Sequence, residues 1–212
     1  MDERSKAEEQ LDRIRRNADG PEAARKLYDE WAQGYDADLT GMHGYVAPQA
    51  TAHALAELMP DRSAPILDVG CGTGLVGQAL ADSGCSCIDG IDISAEMLAE
   101  AGKKGVYRAL WSENLLEGTS ADADSYAAVI GVGVFSRQLL PPPVFDELIR
   151  LVRPGGHFAL VVRGDQFESE GFAAKMRDLS AAGHWQVLAH ENVPYLDTLG
   201  ERGDLILSTA CD

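Results

Sequence analysis

The stretch Ile66-Leu-Asp-Val-Gly-Cys-Gly-Thr-Gly74 constrains the fold more than any other part of the chain. A short apolar run, Pro65-Ile-Leu, enters an acid at Asp68 and then a turn with glycine at every second position. The amphipathic segment Leu75-Val-Gly-Gln-Ala-Leu-Ala81 follows at once. That order reads as strand, tight turn and helix, the first unit of a nucleotide-binding α/β sheet. Glycines suit such a turn because a chain without Cβ atoms bends sharply and lies flat against a ligand. The carboxylate is the informative departure. At the end of a central strand it loses hydration and needs donors or a positive partner.

With 212 residues the chain can bury one sizeable core around this unit, and a single domain is expected. Eighteen basic residues against 34 acidic ones leave a formal charge of −16. Such a surface repels phosphate backbones and anionic lipid, so neither nucleic acid nor a membrane surface is an expected partner. No apolar run approaches the roughly 20 residues of a membrane span, and the first residues lack the apolar core of a secretory signal. Cysteines at 71, 85, 87 and 211 form neither a disulfide framework nor a zinc pairing. Reduced thiols in a cytoplasmic protein are therefore expected, with no metal site.

Residues 1–21 read as a charged helical arm, with Leu11 and Ile14 as sparse apolar points. Over 22–39, Leu27, Tyr28, Trp31 and Tyr35 fall three or four apart, which puts them on one helical face. That face either packs on the core or forms a lid whose tyrosines offer a ligand an apolar body and a hydroxyl. Thr40 to Tyr45 reads as a glycine-punctuated loop, and Pro48 to Met59 as a helix. Further strands are expected over Cys85–Asp92, Val106–Trp111, Tyr126–Phe135, His157–Arg163, Trp185–His190 and Asp204–Ala210. Helices are expected over Ala95–Ala101 with Ser94 as its cap, over Val144–Val152 and near Gly171–Ala182. The alternation argues for a Rossmann-like, doubly wound α/β fold. Its seven strands are mostly parallel with an antiparallel last strand, helices cover both faces, and an N-terminal helical lid precedes them.

Gly72-x-Gly74-x-x-Gly77 formally matches the dinucleotide fingerprint, and Asp92 closes the second strand, where an acid accepts hydrogen bonds from ribose hydroxyls. An adenosine-bearing ligand is expected, either a nicotinamide dinucleotide or S-adenosylmethionine. Asp68 separates the two. A pyrophosphate favours bare backbone donors, whereas a ligand with an ammonium group and a sulfonium centre is favoured by a nearby carboxylate. A structural alternative for Asp68 is that it only accepts amide hydrogens from the turn.

Ile66–Gly74 resembles the first motif of class I S-adenosylmethionine-dependent methyltransferases, and Gly90-Ile-Asp-Ile-Ser-Ala-Glu-Met-Leu98 resembles the second. Leu151-Val-Arg-Pro-Gly-Gly-His-Phe-Ala-Leu160 is similar to the family's segment leading into the fifth strand. Tyr28-Asp-Glu-Trp-Ala-Gln-Gly-Tyr-Asp36 resembles the N-terminal signature of small-molecule members, including methyltransferase-like proteins of the Williams–Beuren syndrome region. The resemblance implies an arm over 1–21 and one domain over 22–212. Within it lie lid helices (22–60), a cofactor-binding core (64–163) and a C-terminal helix and hairpin (164–212). It further implies that Asp68 and the backbone of Gly70, Cys71 and Gly72 hold the methionine end of S-adenosylmethionine. Asp92 would take the ribose hydroxyls, and Ile93 and Met97 would line the adenine. Asn114 stands where many members have an aspartate, with Leu115 supplying a backbone donor. Gly131 and Val132 would lie near the sulfonium, and Tyr28 and Tyr35 would cover the cofactor.

Methyl transfer asks a protein mainly to desolvate and align the acceptor, with a base needed only where the acceptor must lose a proton. His43, on the loop after the lid, is the candidate base, against the plainer reading of a solvated surface histidine. Ser136 and Arg137 follow the fourth strand, at the sheet edge where α/β folds bind ligands, and are candidate acceptor contacts. An ion pair with the acidic surface is the other reading of Arg137. The expected function is methylation of a small molecule at oxygen or nitrogen, leaving S-adenosylhomocysteine. The alternatives are a nicotinamide-dependent oxidoreductase and a non-catalytic S-adenosylmethionine-binding protein.

Overall fold

Ile66–Val69 (β1) is buried along its whole length in the computed structural model and lies third in a sheet of seven strands. The structure describes residues 8, 9, 11–14 and 20–211, so most of the expected arm over 1–21 lies outside the described residues. Residues 8, 9 and 11–14 are helical, and Ile14 joins the core.

After β1 come a helix, Leu75–Asp82, the strand Ile88–Asp92 (β2), the helix Ala95–Lys103 and the strand Ala109–Ser112 (β3). The second half supplies Tyr126–Phe135 (β4), Val152–Arg163 (β5), Trp185–Leu196 (β6) and Glu201–Ala210 (β7). The strand order is β3-β2-β1-β4-β5-β7-β6. Strands β1 to β5 pair in parallel, and β7 runs antiparallel to both β5 and β6. The chain winds outward from β1 through β3 and then returns to β4 on the other side of β1. The carboxyl ends of β1 and β4 therefore flank the switch point where open α/β sheets bind ligands.

Both faces of the sheet are covered. Ile66, Ile88, Ala128 and Ile130 pack in one cluster with Leu27, Trp31 and Leu55 of the N-terminal helices. Leu67, Val69, Ile91 and Val129 belong to the opposite cluster, with Phe145, Leu148, Phe172 and Trp185. The period-2 alternation of two apolar sets along each strand explains the unbroken apolar run at 126–135, buried from both sides.

Several boundaries differ from the sequence-based expectation. The second strand begins at Ile88 rather than Cys85. The third covers Ala109–Ser112 rather than Val106–Trp111, which leaves Tyr107 in the preceding loop. The β6–β7 hairpin reaches Leu196 and starts again at Glu201, well beyond the apolar segments. Strand β6 is an exposed edge, so its polar residues gave no alternating signal, yet cross-strand pairing carries it onward. No helix among the described residues is long and apolar enough to cross a membrane.

Candidate functional site

A cavity opens at the switch point, lined by Gly70 and Gly72 after β1, Ile91 to Ser94 at and just beyond the end of β2, and Val132 to Val134 on β4. Gly70 has φ +62°, and a Cβ there would lie 2.3 Å from Val134 Cγ2, so the turn can pass β4 this closely only with glycine. Gly72, at φ +53°, has nothing nearer than 4.0 Å where a Cβ would stand, which leaves its backbone bare to the cavity. Met97, Glu113, Asn114 and Leu115 complete the far end.

Asp92 Oδ2 accepts from the Gly72 amide at 2.9 Å, and Oδ1 from the Ser94 amide at 2.9 Å. One carboxylate thus joins the two motifs. Each oxygen keeps a further acceptor position, which fits a pair of ribose hydroxyls. Burial pushes its pKa up, and the amides of Ser94 and Gly72 work against that rise. Ile93 and Met97 form an apolar wall beside it. Asn114 turns inward on its own loop, accepting from the Leu116 amide at 3.1 Å and donating to Glu117 at 2.9 Å. A bare glycine turn, an acid with spare acceptor positions and an apolar wall together fit an adenosine-bearing cofactor.

Asp68 is fully buried and lies behind the turn rather than in the cavity lining. Tyr107 donates its hydroxyl to Oδ2 at 2.7 Å, while Oδ1 has no partner among the described residues. Burial pushes its pKa up to about 7; the Tyr107 bond opposes this, the Asp92 charge adds to it, and the Gly77 amide opposes it. Tyr107 sits against Gly77, where a Cβ would lie 2.3 Å from the ring, so the third glycine of the fingerprint makes room for the tyrosine that binds Asp68. Cys71 is buried with its thiol pKa raised by the same desolvation, and does not line the cavity.

Helix α1 (Pro21–Asp36) closes the cavity from above and continues into a π-helical turn, Ala37–Met42. Its aromatic face divides between core and cavity. Leu27 and Trp31 are buried in the core, while Tyr28 and Tyr35 line the cavity. Two anchors hold this helix down. Asp29 accepts from Ser94 Oγ at 2.5 Å, and Asp36 bonds Thr73 of the turn and Lys104 Nζ, the latter at 2.5 Å. These long-range pairs have no local sequence signature.

A second cavity adjoins the first and is roomier, about 260 Å³ against about 90 Å³. Tyr28, Tyr35, Gly133 and Leu139 belong to the linings of both. Gly133, at φ +78°, leaves no room for a Cβ, which would lie 2.4 Å from Tyr45 Oη. Gly131, the sequence-based candidate, instead packs on Phe135 and Val69, and the glycine of β4 that lines the cavities lies two residues further on. Val132 does line the first cavity. Ser136 lines the second, but Arg137 is exposed outside it and contributes only its amide, to Glu170. The cation that lines this cavity is Arg163, at the end of β5.

His43 is neither a surface residue nor in either lining. It is completely buried, with both ring nitrogens unpartnered among the described residues. The hairpin tip covers it: Thr198 N donates to the His43 carbonyl at 3.3 Å, and Asp197 N to the Gly44 carbonyl at 3.0 Å. This crossing joins segments more than 150 residues apart in sequence, which made the loop look exposed when read locally.

Residues 66–156 match the family model of the methyltransferase domain. Over 188 residues the chain is 35% identical to methyltransferase-like protein 27 of Homo sapiens, covering 85% of this chain and 76% of that one. It is 31% identical over 96 residues to a ubiquinone biosynthesis O-methyltransferase of Pectobacterium atrosepticum, covering 43% and 39% of the two chains. An S-adenosylmethionine-dependent methyltransferase from Mesorhizobium loti has the same fold, with TM-score 0.56 at 16% identity over 74% of this chain and 95% of that one. With this likeness, the nicotinamide alternative falls away, and the chain belongs to the class I S-adenosylmethionine-dependent methyltransferases.

Proposed function

We propose that this methyltransferase acts on a small molecule at oxygen or nitrogen, with the cofactor in the cavity at the β1–β4 switch point and the acceptor in the adjoining one. The observation that carries the reading is the shared wall of Tyr28, Tyr35, Gly133 and Leu139, across which the contents of two cavities would face each other. The first cavity would hold the cofactor through Asp92, the Gly70 and Gly72 backbone, Ile93, Met97 and Leu115. Asp68 and Cys71 would act from behind by fixing the turn.

When bound, S-adenosylmethionine supplies a methyl group on a cationic sulfur: a lone pair of the acceptor forms the new bond as the carbon–sulfur pair returns to sulfur. The chain's own contribution is alignment and dryness. Gly133 brings backbone, without side-chain bulk, to the junction, and α1 covers it with two tyrosines. Among the described residues, neither lining contains a histidine. Glu170 is the carboxylate lining the acceptor cavity, so an acceptor that loses a proton would pass it there or to solvent. The cytoplasmic setting rests on the charge and thiol content. Incubation of the protein with S-adenosylmethionine and fractions of small metabolites is expected to give S-adenosylhomocysteine and a methylated metabolite in the same fraction. Cofactor binding without turnover in any fraction would instead favour a non-catalytic binding protein.

A further inference from the structure

We infer that the acceptor is an organic acid with a flat, apolar body, whose carboxylate pairs with Arg163 while its nucleophile faces the wall at Gly133. This rests on the assignment of the second cavity as the acceptor site. Trp31, Tyr45 and Tyr195 surround that cavity with ring surface, which suits an aromatic or similarly planar molecule. Tyr45 and Tyr195 stand edge to face with centroids 5.3 Å apart, so the box is already packed before a ligand enters.

Arg163 is the one cationic side chain lining this cavity among the described residues. Its hydrogen bonds use one side of the guanidinium: Nε and Nη2 bond Asp165 at 2.6 and 3.0 Å, leaving Nη1 without a hydrogen bond among the described residues. The Asp165 side chain is 66% exposed against 21% for Arg163. An ion pair with so exposed a partner contributes little, whereas a carboxylate desolvated inside a cavity gains a charge-assisted, two-point bond. Glu170 also lines the cavity but already accepts the Arg137 amide. The overall charge of −16 does not forbid an anion here, because exposed charges beyond about 8 Å are screened at physiological salt.

The test pairs an acid with its neutral twin on the full chain. Binding of 4-hydroxycinnamate and 4-hydroxycinnamamide to the protein saturated with S-adenosylhomocysteine is followed by ligand-observed NMR. The acid is expected to bind about tenfold or more tightly than the amide, the scale of a hydrogen-bonded charge. Arg163→Met is expected to erase that preference while leaving affinity for S-adenosylhomocysteine unchanged. Asp165→Asn, a change at an exposed side chain, is expected to raise the acid's affinity by freeing the guanidinium. Equal binding of acid and amide, binding of neither, or an acid preference that survives in Arg163→Met overturns the inference. Failure of the wild-type chain to bind S-adenosylhomocysteine would instead strike at the assignment of the cavities, so the two failures are distinguishable.

Discussion

The Ser94 hydroxyl donates to Asp29 Oδ1 at 2.5 Å and accepts from the Met97 amide at 3.1 Å. One side chain therefore caps the helix that follows β2 and fastens α1 to it. Helix α1 is tied to the segment after Asp92 rather than merely resting over the cavity. Asp29→Ala and Ser94→Ala are each expected to cost about 1 kcal/mol of stability. Their effects should be sub-additive by roughly 0.5–1.5 kcal/mol in a double-mutant cycle by urea unfolding. Additive losses would mean that the pair contributes nothing.

Asp92 bonds the amides of Gly72 and Ser94 and retains acceptor positions toward the cavity. Asp92→Ala is expected to weaken S-adenosylhomocysteine binding by about 1–3 kcal/mol, the scale of lost bonds to a charged acceptor. Isothermal titration measures it directly, and an unchanged affinity would refute the ribose assignment.

What could be read from local pattern was the part of the site built from contiguous residues. The glycine turn, Asp92 at a strand end, and the aromatic spacing of α1 each carry their geometry in neighbouring positions of one short segment. Asp68 was recognised as unusual for the right physical reason, its lost hydration, but its partner proved to be Tyr107, brought over Gly77 by packing. The hidden features depend on contacts between distant segments. His43 is buried by the hairpin tip, Gly133 rather than Gly131 reaches the cavities because β4 breaks register between Val132 and Phe135, and Arg163 rather than Arg137 reaches the second cavity. A one-residue pattern cannot report which of two arginines at adjacent strand ends faces inward.

The buried Asp68 has a consequence for pH. Its pKa is about 7 in the folded chain against 3.8 for an ordinary aspartate, because burial outweighs the Tyr107 bond. Between those values the folded state holds a proton that the unfolded state has lost. The contribution to stability is full below about pH 4 and disappears as pH rises through about 7, with a slope of at most about 1.4 kcal/mol per pH unit. Unfolding of the ligand-free protein at pH 5, 6 and 7 should show this decline, and Asp68→Asn should lack it. Parallel pH profiles for the two proteins would show that Asp68 ionises freely in the fold.

Gly70 is confined by both backbone and space. Gly70→Ala puts a side chain at φ +62° and within 2.3 Å of Val134. The strain of the left-handed backbone alone costs about 1–2 kcal/mol, and the collision adds to it. Adding Val134→Ala removes the contact at 2.3 Å but leaves that residue's own Cβ at 2.7 Å, so it is expected to recover part of the collision and none of the backbone cost. A double variant no more stable than Gly70→Ala would mean that Val134 does not set the limit.

Amide hydrogen exchange with and without S-adenosylhomocysteine tests the central claim most directly, because it reports the site segment by segment. The cofactor is predicted to slow exchange at 70–74, 92–97 and 113–115 and in the lid at 28–35. Binding that leaves exchange in these four segments unchanged would contradict the assignment of the site.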